Sequence, residues 1–146
     1  MSAGVPFVHE IRVRYQECDM QRVVFNAHYL AYCDETAAAW MQARFGWNGA
    51  DDEFDWMLVR AEIDWHGSAT YGDVLAVTAA VERWGNTSFT VGYRGRVGDR
   101  GVFTARITYV SVRPGTADKT RVPDAVRRVM GGGGAGDPGT PPAEPV

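Results

Sequence analysis

Residues 15–40, Tyr-Gln-Glu-Cys-Asp-Met-Gln-Arg-Val-Val-Phe-Asn-Ala-His-Tyr-Leu-Ala-Tyr-Cys-Asp-Glu-Thr-Ala-Ala-Ala-Trp, run from an acidic loop into one long helix, and the rest of the chain reads as sheet and tail. From Ala27 to Phe45 the residues Tyr29, Tyr32, Cys33, Ala37, Trp40 and Met41 return at steps of three and four, which is one face of a helix. Gly46 is placed to stop it. The helix is small and apolar around most of its circumference, with Ala31, Ala38, Ala39 and Ala43, so it is expected to be enclosed on several sides. Asn26 stands at the expected N-cap and Asp19 stands before the hinge Val23-Val24-Phe25. One carboxylate and a set of free backbone N–H groups are therefore predicted to face a common point.

Outward from this stretch the period changes. Between Val8 and Tyr15, Ile11, Val13 and Tyr15 alternate with Glu10, Arg12 and Arg14, the pattern of a half-buried strand. After an acidic loop over 46–55, Met57, Val59, Ala61, Ile63 and Trp65 alternate with Arg60, Glu62, Asp64 and His66. Val74 to Trp84 is another strand; turns at Gly85-Asn86 and at Gly98-Asp99-Arg100-Gly101 then make a meander with the strands that follow them, up to Pro114. Val122-Pro123-Asp124 opens a helical turn or two. The order is strand, long helix, four strands, an α+β arrangement with an antiparallel sheet and one helix to bury. Residues 1–130 read as one domain and 131–146, rich in Gly and Pro, as a disordered tail.

Composition narrows the function classes. The net charge is −3, of which Asp137 and Glu144 in the tail supply two, and a body so near neutrality argues against nucleic acid as the main partner. No apolar run reaches a membrane span and the N-terminus lacks signal-peptide character, so a cytoplasmic protein is expected. The two cysteines, Cys18 and Cys33, and the three histidines have no ligand-like spacing, and no metal site is expected. A sheet covered by one helix leaves a face or an edge open, and both sides of the last strand are apolar, which predicts a homodimer or homotetramer.

The segment Arg14 to Tyr32 resembles the signature of hotdog-fold acyl-CoA thioesterases of the 4-hydroxybenzoyl-CoA thioesterase family. The likeness continues through Asp64-Trp-His-Gly-Ser-Ala-Thr-Tyr-Gly-Asp-Val-Leu, Gly85-Asn-Thr-Ser-Phe, Ile107-Thr-Tyr-Val-Ser-Val and Arg121-Val-Pro, about residues 8 to 130. It implies a hotdog fold, a five-stranded antiparallel sheet around one long central helix, and a hydrolase that splits an acyl-CoA into acid and CoA. No separate cofactor is implied, since CoA belongs to the substrate. Carried over by position, the catalytic carboxylate falls on Asp19, the oxyanion-binding backbone N–H on Asn26 and the helix carboxylate on Asp34. The resemblance departs at Arg22, where the family has Gly, and at Asn26, where many members have His. The alternative on the same fold is a protein that binds acyl-CoA or an acyl carrier without hydrolysis.

Such chemistry needs donors aimed at the carbonyl oxygen and a nucleophile or base at its carbon. An oxyanion donor is worth about 3 kcal/mol of barrier, against less than about 1 kcal/mol for a helix dipole at an exposed end, so local hydrogen bonding is expected to dominate. Glu17 reads as a solvated loop charge and His28 as a surface or partly packed side chain. Tyr29 is a candidate wall of the acyl pocket, and Thr87 and Ser88 are candidate contacts near the pantetheine. Arg94, Arg96, Arg113, Lys119 and Arg121 are cations available to CoA phosphates, although solvated strand faces explain each singly.

Overall fold

The computed structural model describes residues 6–46 and 54–131. The predicted tail beyond Gly131 and most of the 46–55 loop lie outside the described residues. The elements are β1 (Phe7–Arg12), α1 (His28–Phe45), β2 (Asp55–Trp65), β3 (Val74–Trp84), β4 (Ser88–Val97), β5 (Arg100–Val112) and α2 (Asp124–Met130), with a 3-10 turn at Tyr15–Glu17 after β1. All five strands pair antiparallel in the order β1-β3-β4-β5-β2. No helix among the described residues is long and apolar enough to cross a membrane.

The expected α+β architecture is present, and the alternation explains it. Leu75, Val77 and Ala79 of β3, Val91 and Tyr93 of β4 and Phe103, Ala105 and Ile107 of β5 point to one side and are buried there. Tyr29, Tyr32, Cys33, Trp40 and Met41, the predicted face of α1, lie in the same core cluster. Each large side chain so buried contributes roughly 1.5–3 kcal/mol. Gly46 ends α1 in the left-handed conformation (φ 68°), its N–H donating to Gln42 O at 2.8 Å. On β4, Gly95 is required because the Phe103 ring lies where a Cβ would stand. The turn at Gly98-Asp99 joins Val97 directly to its partner Arg100, as the sequence indicates.

Three local expectations are corrected. Strand β1 stops at Arg12 rather than Tyr15; Ile11 and Val13 are buried as predicted, but Tyr15 turns out with the 3-10 turn and is 81% exposed. A bulge at Val59 breaks the alternation of β2, so Leu58 rather than Met57 shares a side with Ala61 and Ile63. Strand β2 is also an edge: Met57, Leu58, Val59 and Trp65 are all exposed. The third correction concerns enclosure of α1, because Ala31 and Ala43 are exposed and Leu30 and Ala38 only half-buried.

At the opposite end of the sheet, α2 closes the core through Val126, Met130 and a fully buried Arg127. That guanidinium donates to Gly85 O (2.6 Å) and Asn86 O (3.0 Å) and lies over the Trp84 ring. It thereby fixes the β3–β4 turn.

Candidate active site

The segment between β1 and α1 folds back on itself before the helix begins. Cys18 pairs with Val24 as an antiparallel bridge, Asp19 N–H donates to Val23 O (2.9 Å), and Phe25 N–H donates to Glu17 O (3.0 Å). At the tip, Arg22 N–H donates to Asp19 O (2.9 Å) and Arg22 takes φ 67°, the positive-φ conformation that glycine adopts freely. The 66–73 loop holds this small hairpin from outside: Val24 N–H donates to Ala69 O (2.9 Å), and the Thr70 hydroxyl donates to Arg22 O (2.6 Å).

Asp19 is half-buried and lines a cavity of about 660 Å³ with Tyr15, Cys18, Arg22, Thr70 and Tyr71. One carboxylate oxygen, Oδ1, accepts from Gln21 N–H at 2.8 Å. Among the described residues Oδ2 has no hydrogen-bond partner, so this carboxylate is oriented and still free on one side.

Asn26 requires a correction. Helix α1 begins at His28, its N-cap is Ala27 with no side-chain cap bond, and the Asn26 side chain is exposed. The backbone part of the expectation is intact, because among the described residues the N–H groups of Asn26 and Ala27 find no acceptor. Asn26 stands three residues beyond Val23, whose carbonyl accepts from Asp19 N–H, in the turn that leads into α1.

The other candidates are not drawn to Asp19. Tyr29 is a core residue, 2% exposed, whose hydroxyl accepts from Ala69 N–H (3.1 Å), so it supports the loop rather than lining the cavity. Asp34 sits nearly two turns inside α1, roughly 9 Å past its start. Its neighbour Glu35 approaches His9 on β1 (3.6 Å), whereas Asp34 is near the buried hydroxyls of Tyr93 and Tyr109, whose pKa values are raised chiefly by burial and in smaller part by the Asp34 charge. Asp34 is exposed at the surface, yet loss of solvent around it still raises its own pKa. Thr87 and Ser88 lie at the far end of the sheet, beyond the whole length of β3. Ser88 lines a separate cavity of about 430 Å³ with Arg60, Arg83 and Arg106. Of the basic residues, Arg121 is engaged by Asp124 and Asn86, and Arg94, Arg113 and Lys119 are exposed.

Glu17 is what the sequence reading missed. It is 3% exposed and not a solvated charge. Its carboxylate accepts from Arg14 N–H (2.8 Å), the Arg14 guanidinium (2.9 and 3.1 Å) and the Tyr32 hydroxyl (2.8 Å), with His28 Nε2 at 3.4 Å. Burial pushes its pKa up, but the hydrogen bonds from Arg14 and Tyr32 outweigh that and hold it below the ordinary value. Tyr32 moves the other way, driven up by burial and by its bond to the carboxylate. The available signal was Tyr32 on the buried helix face, whose hydroxyl needs a partner. Among the described residues, no group of three or more His, Cys, Asp or Glu could hold a metal ion.

Residues 21–104 match the model of the thioesterase superfamily, a span that contains Asn26 and α1 and starts two residues after Asp19. The chain is 25% identical over 129 residues to 1,4-dihydroxy-2-naphthoyl-CoA hydrolase from Trichodesmium erythraeum (strain IMS101), covering 84% of this chain and 93% of that protein. Among solved structures, one titled as thioesterase superfamily from Jannaschia sp. CCS1 superposes with a TM-score of 0.78 at 25% identity, covering 88% and 91% of the two chains. A 1,4-dihydroxy-2-naphthoyl-CoA thioesterase from Synechocystis superposes with a TM-score of 0.77 at 20% identity, covering 86% and 96%, a likeness of fold.

Proposed function

The chain belongs to the thioesterase superfamily and is a thioester hydrolase, and from that premise we propose that it hydrolyses an acyl-CoA with Asp19 as the reacting carboxylate and the Asn26 N–H as oxyanion donor. One observation carries this reading: Asp19 is the carboxylate that lines the 660 Å³ cavity, with one oxygen held and the other free. The substrate carbonyl lies between Asp19 and the start of α1. Charge developing on its oxygen is stabilised by free N–H groups at a helix start, where fixed donors act without reorganising. Asp19 either attacks the carbonyl carbon, expelling the CoA thiolate and leaving a mixed anhydride that water opens, or takes a proton from the water that attacks. An acid-quenched reaction analysed by mass separates the two: an acyl adduct on the Asp19 peptide marks the first route, its absence the second.

In this reading the reaction uses no metal and no cofactor beyond the CoA carried by the substrate. We further propose a homodimer or homotetramer, a reading favoured by the 11-residue outer edge of β2 with its exposed apolar side chains, and, from the sequence, a place in the cytoplasm. A clean monomer at micromolar concentration would sink that part. For the activity, the test is a panel of aliphatic and aromatic acyl-CoAs with detection of released thiol. Turnover of at least one is expected. Tight binding with no thiol released from any of them would favour a binding protein on the same fold.

A further inference from the structure

Arg22 is the one residue of the hairpin that pays for its place. Among the described residues it is the sole non-glycine at positive φ, the others being Gly46, Gly72, Gly98 and Gly115. An L-residue costs roughly 1–2 kcal/mol there, and glycine removes the cost, so the backbone gives no reason for an arginine. A strained position with a long charged side chain at a cavity points to that side chain's use. Both backbone groups of Arg22 are engaged, N–H by Asp19 O and C=O by Thr70, so the side chain departs from a fixed base.

Arg22 lines the Asp19 cavity, and among the described residues no carboxylate stands within ion-pair distance of its guanidinium and no acceptor is bonded to it. Arg14 is paired with Glu17, Arg100 with Asp73, Arg106 with Glu82 and Arg121 with Asp124; of the arginines without such a pair, Arg22 is the one that lines the Asp19 cavity. An anion entering this cavity meets the charge of Asp19, and Arg22 is the cation on the same wall that offsets it. The planar guanidinium presents paired donors that fit a carboxylate or a phosphate.

We infer that Arg22 binds an anionic group of the thioester substrate at the Asp19 cavity, and so selects charged over neutral thioesters. This rests on the hydrolase reading above. The anion is a carboxylate-type oxyanion or phosphate, whose source is either the acyl group or the CoA. For the acyl group turned over best in the panel, four thioesters separate these sources: that acyl group and its carboxylated analogue, each on CoA and on N-acetylcysteamine, which has no phosphate. In Arg22→Gln, KM for the substrates carrying the recognised anion rises about tenfold while kcat holds within about twofold, and Arg22→Lys recovers part of the loss. A rise on both CoA esters assigns the phosphates; a rise on both carboxylated esters assigns the acyl group. The neutral N-acetylcysteamine ester is unaffected in either case. Unchanged KM for all the charged substrates, or an equal change on the neutral one, overturns the inference while leaving the hydrolase reading intact. No turnover of any thioester by the wild-type protein defeats both.

Discussion

Glu17 and Asp19 stand two residues apart in one loop and meet opposite surroundings. Glu17 is sealed, with both oxygens occupied by donors from Arg14 and the helix residue Tyr32. Asp19 faces a cavity and keeps one oxygen free. The difference teaches that the inner carboxylate fixes the loop to α1 so that the outer one can be both placed and available. Proximity in sequence does not imply a shared role: Glu17 closes the 3-10 turn and Asp19 opens the hairpin, so the strand period that would put residues two apart on one side does not run through them. The sharpest break of this comparison is Asp19→Asn. Asparagine still accepts from Gln21 N–H, so melting should be unchanged, whereas kcat should fall by about 100-fold or more. Full activity in that variant would remove Asp19 from the chemistry.

The reciprocal change is Glu17→Ala. It strands the Tyr32 hydroxyl and the Arg14 N–H, while the largely exposed Arg14 guanidinium regains water, so a stability loss of about 1–3 kcal/mol is expected by denaturant titration. Activity should fall less than in Asp19→Asn, because the carboxylate proposed to react remains. A pH series adds a second reading. The folded-state pKa of Glu17 lies below its ordinary value of 4.5, so the group stabilises the fold above that pH. This contribution is lost as pH falls through the folded-state value. Glu17→Gln should therefore flatten the acid limb of the stability curve below about pH 4.5 and leave the neutral region parallel to the wild type. An unaltered acid limb would place the titrating group elsewhere.

How far the chain could be read from its residues follows from the same contrast. Periodicity found α1, the meander and the buried sides of β3–β5, because burial on a regular element imposes a period. It failed at Tyr15, where the 3-10 turn abandons the strand period, and at Val59, where one extra residue shifts the parity of β2. The loop carboxylates were beyond it: nothing local distinguishes a Glu that will find Tyr32 fifteen residues away from one left in water. The partner of Tyr29 was out of reach for the same reason, since it is the N–H of Ala69, forty residues on. Asp34 and the Thr87-Ser88 pair came from the family pattern, and in a single chain the helix length and the length of β3 keep them from Asp19.

A smaller test addresses the link between Glu17 and α1. Tyr32→Phe removes one donor and leaves the ring packed against Tyr29 and His28, so about 1 kcal/mol of stability should go, with the loop otherwise intact. If the loss matched that of Glu17→Ala, the Tyr32 bond alone would account for the anchoring and Arg14 would contribute little.

The smallest effect concerns the tip that the two carboxylates leave between them and the helix. Arg22→Gly relieves the left-handed strain, worth roughly 1–2 kcal/mol, but glycine also gives the unfolded chain more freedom, which takes back roughly 0.5–1 kcal/mol. The net is a gain of about 0.5 kcal/mol in thermal or chemical denaturation, opposite in sign to the usual loss on introducing glycine. Thr70→Val should cost more in the wild-type background than in the Arg22→Gly background, because the hydroxyl bonded to Arg22 O is what holds an unwilling residue in place. A destabilised Arg22→Gly variant, or equal costs of Thr70→Val in both backgrounds, would mean that the hairpin is held by Glu17 and the Cys18–Val24 bridge alone, and the outer half of the loop would then depend entirely on the inner.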